Sequence, residues 1–335
     1  MKASMSGMRS RLSGAKRALA IIWLTMLRLS GEQFILAVIP DPQHEVCVGP
    51  AGDPVMFTSQ MQWIADNSRA SNIAFVISVG DNVHYDPPDH YMWTFASNGY
   101  RLLENAGVPF ALVVGNHDTH AVRTNSAGMR DPENTATLLR ETPEFNAYFP
   151  ASRFTAQKGR FESGKSDNAY YTFAAGGCKW MVIVLELWAR QIAVDWAKSV
   201  LADPAYADHN VIIATHSHLT SKGVIEQHPP YGDLSPQSVF DQLITRYPNV
   251  RFVFSGHVGK SAWRDDRGVN GNHIYQILTD YQEEKKGNGW MRLIAIDTSA
   301  GIVSAWVYSP YVNKARDDAS RFMFTGASFI PPNGH

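Results

Sequence analysis

Residues 110–120 read FALVVGNHDTH, and the character of the chain changes halfway along them. Five apolar residues lead into Gly115, and Asn116, His117, Asp118, Thr119 and His120 follow at once. Asn, Asp and Gly suit a turn. The same cluster is also a set of oxygen and nitrogen donors delivered from the end of an apolar run. Four other runs end the same way: 34–40 before Asp41 and Gln43, 73–80 before Asp81 and His84, 210–216 at His216, and 250–257 at His257. Any one of these reads equally well as a turn residue or a helix cap. Five at the same end of five runs point to a single crevice, because open α/β sheets bind ligands beyond the carboxyl ends of their strands.

Carboxylate, carboxamide and imidazole donors suit hard or borderline divalent ions such as Mn, Fe, Zn or Mg, with no preference for thiolate. An aspartate can bridge two such ions. Neutral His and Asn ligands leave net positive charge that attracts an anion, and paired ions clamp a displacement at phosphorus. One histidine would then be left over to carry protons. His218 and His120 flank the donors and are candidates to touch phosphate or, equally, ordinary loop histidines. His90, His209, His228 and His273 are expected to be surface or packing residues.

The elements needed to position these donors are legible. Continuous apolar runs at 34–40, 73–80, 110–115, 179–186, 210–216 and 250–257 predict strands buried on both faces. Helical spacing at 57–69, 89–107, 191–203 and 236–247 alternates with them, the second helix closing at Gly107. Three β-like runs at 273–280, 290–297 and 301–310 predict an antiparallel meander at the end. Residues 119–178 break the alternation with polar, Gly-rich sequence and one helical candidate, 135–145. A stretch of that length beside the donors suggests a lid over the site.

Composition narrows the function. An apolar fraction of 44% and a charged fraction of 18% allow a sizeable core. A net charge of −1 gives no reason to expect nucleic-acid binding. Cys47 and Cys178 are too few for a Cys-based zinc site, whereas twelve histidines leave ample nitrogen donors. GHVGKS (256–261) ends like a P-loop, but Phe254 stands where its first Gly belongs. No G-x-G-x-x-G or G-x-S-x-G occurs, which argues against dinucleotide binding and a serine hydrolase.

The first thirty residues are different. Lys2, Arg9, Arg11, Lys16 and Arg17 precede any acid, and the apolar run ALAIIWLTML (18–27) ends at Arg28. A basic start and an apolar run too short to span a bilayer predict a secretory leader over 1–30, hence a periplasmic or secreted protein. An organellar transit peptide or a misplaced start codon are the alternatives. Removing the leader takes six positive charges with it and leaves an acidic chain with no expected transmembrane span. The remaining boundaries are a domain at 31–312 and a tail at 313–335.

The ordered blocks Asp-x-Gln, Gly-Asp, Gly-Asn-His-Asp, His and Gly-His resemble the calcineurin-like metallophosphoesterase superfamily. The resemblance spans most of residues 34–310, and VGDNVH with VVGNHD is its specific part. IPDPQ and the later TDYQEEKKGNGWMRLIAID resemble a bacterial, often exported, subgroup with Gln in the first block. The resemblance implies an α/β chain folded as a double β-sandwich flanked by helices, with a dinuclear site between the sheets. It implies Asp81 as the bridging ligand, Asn116, His216 and His257 on one ion, and Asp41 on the other. It also implies His117 as the acid that protonates the leaving oxygen while a metal-bound hydroxide attacks a small phosphate mono- or diester.

Three positions depart from the pattern. Gln43 stands where many relatives have His, Gly259 where a second imidazole is expected, and His84 where a carboxylate often orients the catalytic His. Purple acid phosphatases, which resemble this family, place a Tyr ligand at the position of His84, so His84 is a candidate replacement ligand. A depleted first site is expected to be weaker and to prefer Mn, Mg or Ca. It also motivates the rival reading of a degenerate, non-catalytic metal- or phosphate-binding protein.

Overall fold

Strands β1 (Gln33–Ile39), β2 (Ile73–Ser78) and β3 (Phe110–Leu112) run parallel, side by side, in the computed structural model. The model describes residues 32–123, 128–228 and 233–331, so the expected leader lies outside the described residues. Antiparallel β11 (Met291–Asp297) and β12 (Ile302–Ser309) extend this first sheet on the other side of β1. A second sheet holds β4 (Gln157–Arg160), β5 (Ala169–Ala175), β6 (Cys178–Leu185), β7 (His209–Thr215), β8 (Val250–Ser255), β10 (His273–Thr279) and β9 (Ser261–Arg267), in that order. Strands β6, β7, β8 and β10 are parallel, and the outer strands close the sheet antiparallel.

The continuous apolar runs are explained by two-sided burial. Along β6, Trp180, Val182 and Val184 face the first sheet, while Met181, Ile183 and Leu185 join the core beneath the helices. Aromatic side chains fill the space between the sheets. Phe34 meets Trp180 at 5.2 Å between centroids, Phe75 stacks on Phe173 at 4.8 Å, and Tyr275 on Phe324 at 4.4 Å. Helices α1 (Pro54–Asn67) and α2 (Tyr91–Ala106) cover the first sheet, with Phe57 set edge-on against Tyr100. The Asp53 side chain accepts from Val55 N–H to start α1, and left-handed Gly107 ends α2. Helices α5 (Gln191–Leu201) and α6 (Pro236–Gln242) cover the second sheet.

Three regions differ from the reading of the sequence. The last β-like runs do not form one meander: β10 joins the second sheet, and only β11 and β12 pair with each other. Residues 119–178 hold more than one helix. They contribute α3 (Thr135–Leu138), α4 (Pro143–Tyr148), strands β4 and β5, and the core residues Phe145, Phe149, Phe154 and Tyr171. Polar interruptions between these aromatics hid them from a search for periodicity. The expected tail is stitched to the fold by β13 (Lys314–Ala315) and β14 (Phe322–Thr325), both paired with β12. Farther on, the Asn210 side chain bonds both the N–H and the carbonyl of Ile330. Among the described residues no helix is long and apolar enough to cross a membrane.

Candidate metal centre

Five strands, β1, β2 and β3 of one sheet and β7 and β8 of the other, release their chains at one end of the sandwich. The first residues beyond them carry the donors. Asp41, Asp81 and His257 all sit in the left-handed region, with φ of 31°, 50° and 79°. Such a conformation costs of order 1–3 kcal/mol and persists where the surroundings over-determine it, as at ligand sites. Two glycines make the close approach possible. A Cβ on Gly115 would collide with the Asp81 carboxylate, and one on Gly256 with that of Asp41.

The tightest group is Asp81, Asn116, His216 and His257. His216 is fully buried, and its Nδ1 donates to the Val79 carbonyl at 2.8 Å, which leaves Nε2 aimed at the group. That Nε2 lies 3.2 Å from Asn116 Oδ1, 3.3 Å from Asp81 Oδ1 and 3.2 Å from His257 Nδ1. These are lone-pair atoms converging with at most one hydrogen to share. The spacing is the one that ligands about 2.1 Å from a shared ion keep from one another. A divalent cation fits this donor set.

Charge points the same way. Asp41, Asp81, Asp118 and Asp280 are all buried, and no ion pair from Lys or Arg to any of them is found among the described residues. Burying a charge costs several kcal/mol unless it is compensated. Burial, then the carboxylates of Asp280 and Asp81, push the Asp41 carboxyl well above its usual range. Burial acts upward on Asp81 as well, but the imidazoles of His216 and His117 outweigh it and hold this carboxyl below the usual range. For His216 burial opposes charge, and Asp81 overcomes it and raises the imidazole. His257 is pushed down to about 4 by burial and by neighbouring His216.

His117 stands beside this group with an anchored ring. Its N–H donates to Asp81 Oδ1 at 3.0 Å, and its Nδ1 donates to the His84 carbonyl at 2.5 Å. Nε2 is thereby turned toward the centre, 4.0 Å from Asp81 Oδ2. Asp118 ties the loop down, accepting from the N–H groups of Gly115 and Val83 and from Asn82. Burial and the charge of Asp81 raise this carboxyl to about 7.

The other half of the centre is built differently. Gln43 lies on a single 3-10 turn, Pro42–Val46, with its Oε1 buried and unpaired, as is Asp41 Oδ1. His84 stacks on His117 at 5.3 Å, and burial together with His44 pushes its imidazole down to about 3. Two residues here escaped the reading of the sequence. Asp280 follows β10, accepts from Gly259 N–H and Gln282, and neighbours Asp41. The strand-end rule applied to HIYQILTD would have found it. His44, next to Gln43 in the sequence, was not among the candidates; its ring faces that of His84.

The two candidate phosphate contacts have protein partners of their own. His218 is buried and bonds Gln276 at 2.6 Å beneath Phe240. Both ring nitrogens of His120 face carboxylates, Glu141 at 3.0 Å and Glu144 at 2.9 Å.

Comparison with known proteins agrees with this geometry. The chain is 27% identical over 267 residues to the uncharacterized YvnB of Bacillus subtilis (strain 168), covering 77% of this chain but only 19% of that much longer protein. A dimetal phosphatase from Danio rerio (LOC 393393) superposes with a TM-score of 0.51 at 12% identity, covering 87% of this chain and 98% of the other. At that identity the likeness shows the fold. The calcineurin-like phosphoesterase profile matches residues 36–261, which carry every donor described here except Asp280. With two thirds of its length matched, this chain belongs to the calcineurin-like phosphoesterase family.

Proposed function

We propose that the protein is a metal-dependent hydrolase of small phosphate mono- or diesters, acting outside the cytoplasm. One observation carries the reading: donor atoms of Asp81, Asn116, His216 and His257 converge with His117 fixed beside them. These four would hold one ion, and Asp41 with Gln43 would begin the seat of another. Two divalent ions supply Lewis acidity and bring the pKa of water toward neutrality. His117 does what the ions cannot. With Nδ1 committed to the His84 carbonyl, Nε2 is the atom that hands a proton to the departing oxygen. A binding relic would have no use for a histidine held in that orientation.

A metal panel tests the proposal. The purified chain, stripped and reloaded with Mn, Fe, Zn or Mg, is assayed on p-nitrophenyl phosphate and bis-p-nitrophenyl phosphate. Activity restored by metal and abolished by chelation is expected, and the better substrate identifies a mono- or diesterase. Bound metal without turnover of either ester would favour the non-catalytic reading. Export is tested by N-terminal sequencing of natively expressed protein, which should begin near residue 31. An intact Met1 on a cytosolic protein would end that part of the proposal.

A further inference from the structure

The two imidazoles of the metal group are oriented by different means. His216 has the outer support common for a ligating histidine, its Nδ1 bonded to the Val79 carbonyl. His257 turns Nδ1 toward His216 Nε2, but no described residue hydrogen-bonds its own Nε2. What meets this ring instead is an indole. Trp188 stands perpendicular to it, at 88° with centroids 5.8 Å apart, within the range of favourable edge-to-face ring pairs.

Trp188 is itself held in an unusual state. It lies just past the end of β6, buried, with φ of 44°, a left-handed conformation that bulky side chains rarely take. Such a conformation persists where the surroundings over-determine it, and here those surroundings can be named. Arg140 donates from Nη1 to the Leu187 carbonyl at 2.8 Å and from Nη2 to the Trp188 carbonyl at 2.6 Å. The same guanidinium lies 3.6 Å from the Glu186 carboxylate. Glu186 is fastened in turn to Asn168, side chain to side chain and backbone N–H to side chain, at 2.9 Å each. Ala121 and Leu139 share one apolar cluster with Leu187 and Trp188. Arg140, Asn168, Ala121 and Leu139 all belong to residues 119–178, so that stretch supplies the bed on which the indole rests.

We propose that Trp188 is a positioning residue that holds the His257 ring in its ligating orientation, and that Arg140 fixes Trp188 in place. This rests on the metal-centre reading above. Packing does for His257 what the Val79 carbonyl does for His216. Residues 119–178 thereby act on the tight ion through Arg140 and Trp188, as a buttress behind a ligand.

Cobalt titration of the stripped, full chain, followed by visible ligand-field absorption, reads the first and tighter binding step without any assay of turnover. Trp188→Leu should weaken that step by about 10–100-fold, the loss typical of removing an outer partner. Trp188→Phe keeps an aromatic ring to set against the imidazole and should recover most of the affinity. Arg140→Lys keeps a charge beside Glu186 but loses the planar fork that spans both carbonyls, and should weaken the step several-fold. It also covers the case in which the leucine variant folds poorly. The Tm of each stripped variant separates positioning from stability. Wild-type affinity in Trp188→Leu would overturn the proposal while leaving the metal centre intact. Leucine and phenylalanine variants weakened equally, in step with a lower Tm, would make Trp188 a packing residue only. Unchanged affinity in Arg140→Lys would remove Arg140 from the arrangement. A wild type that binds no cobalt would overturn the metal centre itself and the proposal with it.

Discussion

The two halves of the centre are held by different kinds of structure. Asp81, Asn116, His216 and His257 leave the ends of strands, and the ring of His216 is bonded across the sandwich to Val79 of the other sheet. Their donor atoms are already at ligand spacing. Asp41 and Gln43 belong to a 3-10 turn and its cap and His84 to a strand-end loop, with Asp41 Oδ1, Gln43 Oε1 and His84 Nδ1 buried but bonded to nothing. Donors fixed by outer hydrogen bonds lose little on receiving an ion, whereas unsupported donors must still be ordered. The comparison therefore predicts one tight and one loose ion.

Removing a strand-held ligand should have the largest effect. His257→Ala takes away a donor 3.2 Å from His216 Nε2. The tight ion should be lost on dialysis and ester hydrolysis should fall to background, read by metal analysis and rate together. Full retention of that ion would show that the spacing of the four donors is not that of a metal site.

A smaller loss is expected where metal binding is spared. His117→Asn should leave metal content nearly unchanged and lower kcat by about 10²–10⁴-fold on esters with poor leaving groups. Leaving groups that need no proton should suffer less. Equal losses on p-nitrophenyl and alkyl phosphates would remove the general-acid role and make His117 a support for Asp81 alone.

The same division explains what could be read from the sequence. Strand-held donors were legible because an apolar run that ends in Asp, Asn or His is a local pattern, and five repeats of it fixed the crevice. Asp280 obeys the rule too and was missed only because its strand was assigned to a terminal meander. The turn-held half was less legible. Nothing local in DPQH tells that the Nδ1 of His44 is buried; that comes from packing against His84, forty residues away. Strand β9, SAWRDDR, was invisible for another reason: it is an edge strand with alternating exposed polar residues. For His218 and His120, proximity in sequence to a ligand said nothing about their partners Gln276, Glu141 and Glu144.

A change behind the strand-held half should act on stability more than on chemistry. Asn82 is fully buried and makes four hydrogen bonds, to Val113, Asp118, Ser78 and Tyr100. Asn82→Ala removes all four bonds from the core, although Asp118 keeps those from Gly115 and Val83, and should cost about 2–4 kcal/mol. A clear drop in Tm with the tight ion still bound is the expected result. An unchanged Tm would mean that this network does not support the metal loop.

The smallest effect is expected at His120, which sequence position alone would place beside the phosphate. Its two ring nitrogens are occupied by Glu141 and Glu144, and its side chain is about a quarter exposed. Paired charges at such a site contribute about 0–1 kcal/mol, because solvent screens them. His120→Gln should therefore lower stability by less than about 1 kcal/mol and leave KM, kcat and metal content as in the wild type. Glutamine can still donate to one of the two carboxylates, so any larger effect must come from contact with substrate. A several-fold rise in KM with unchanged Tm would place His120 at the phosphate after all, and would show that the loop carrying Glu141 and Glu144 moves away when an ester binds.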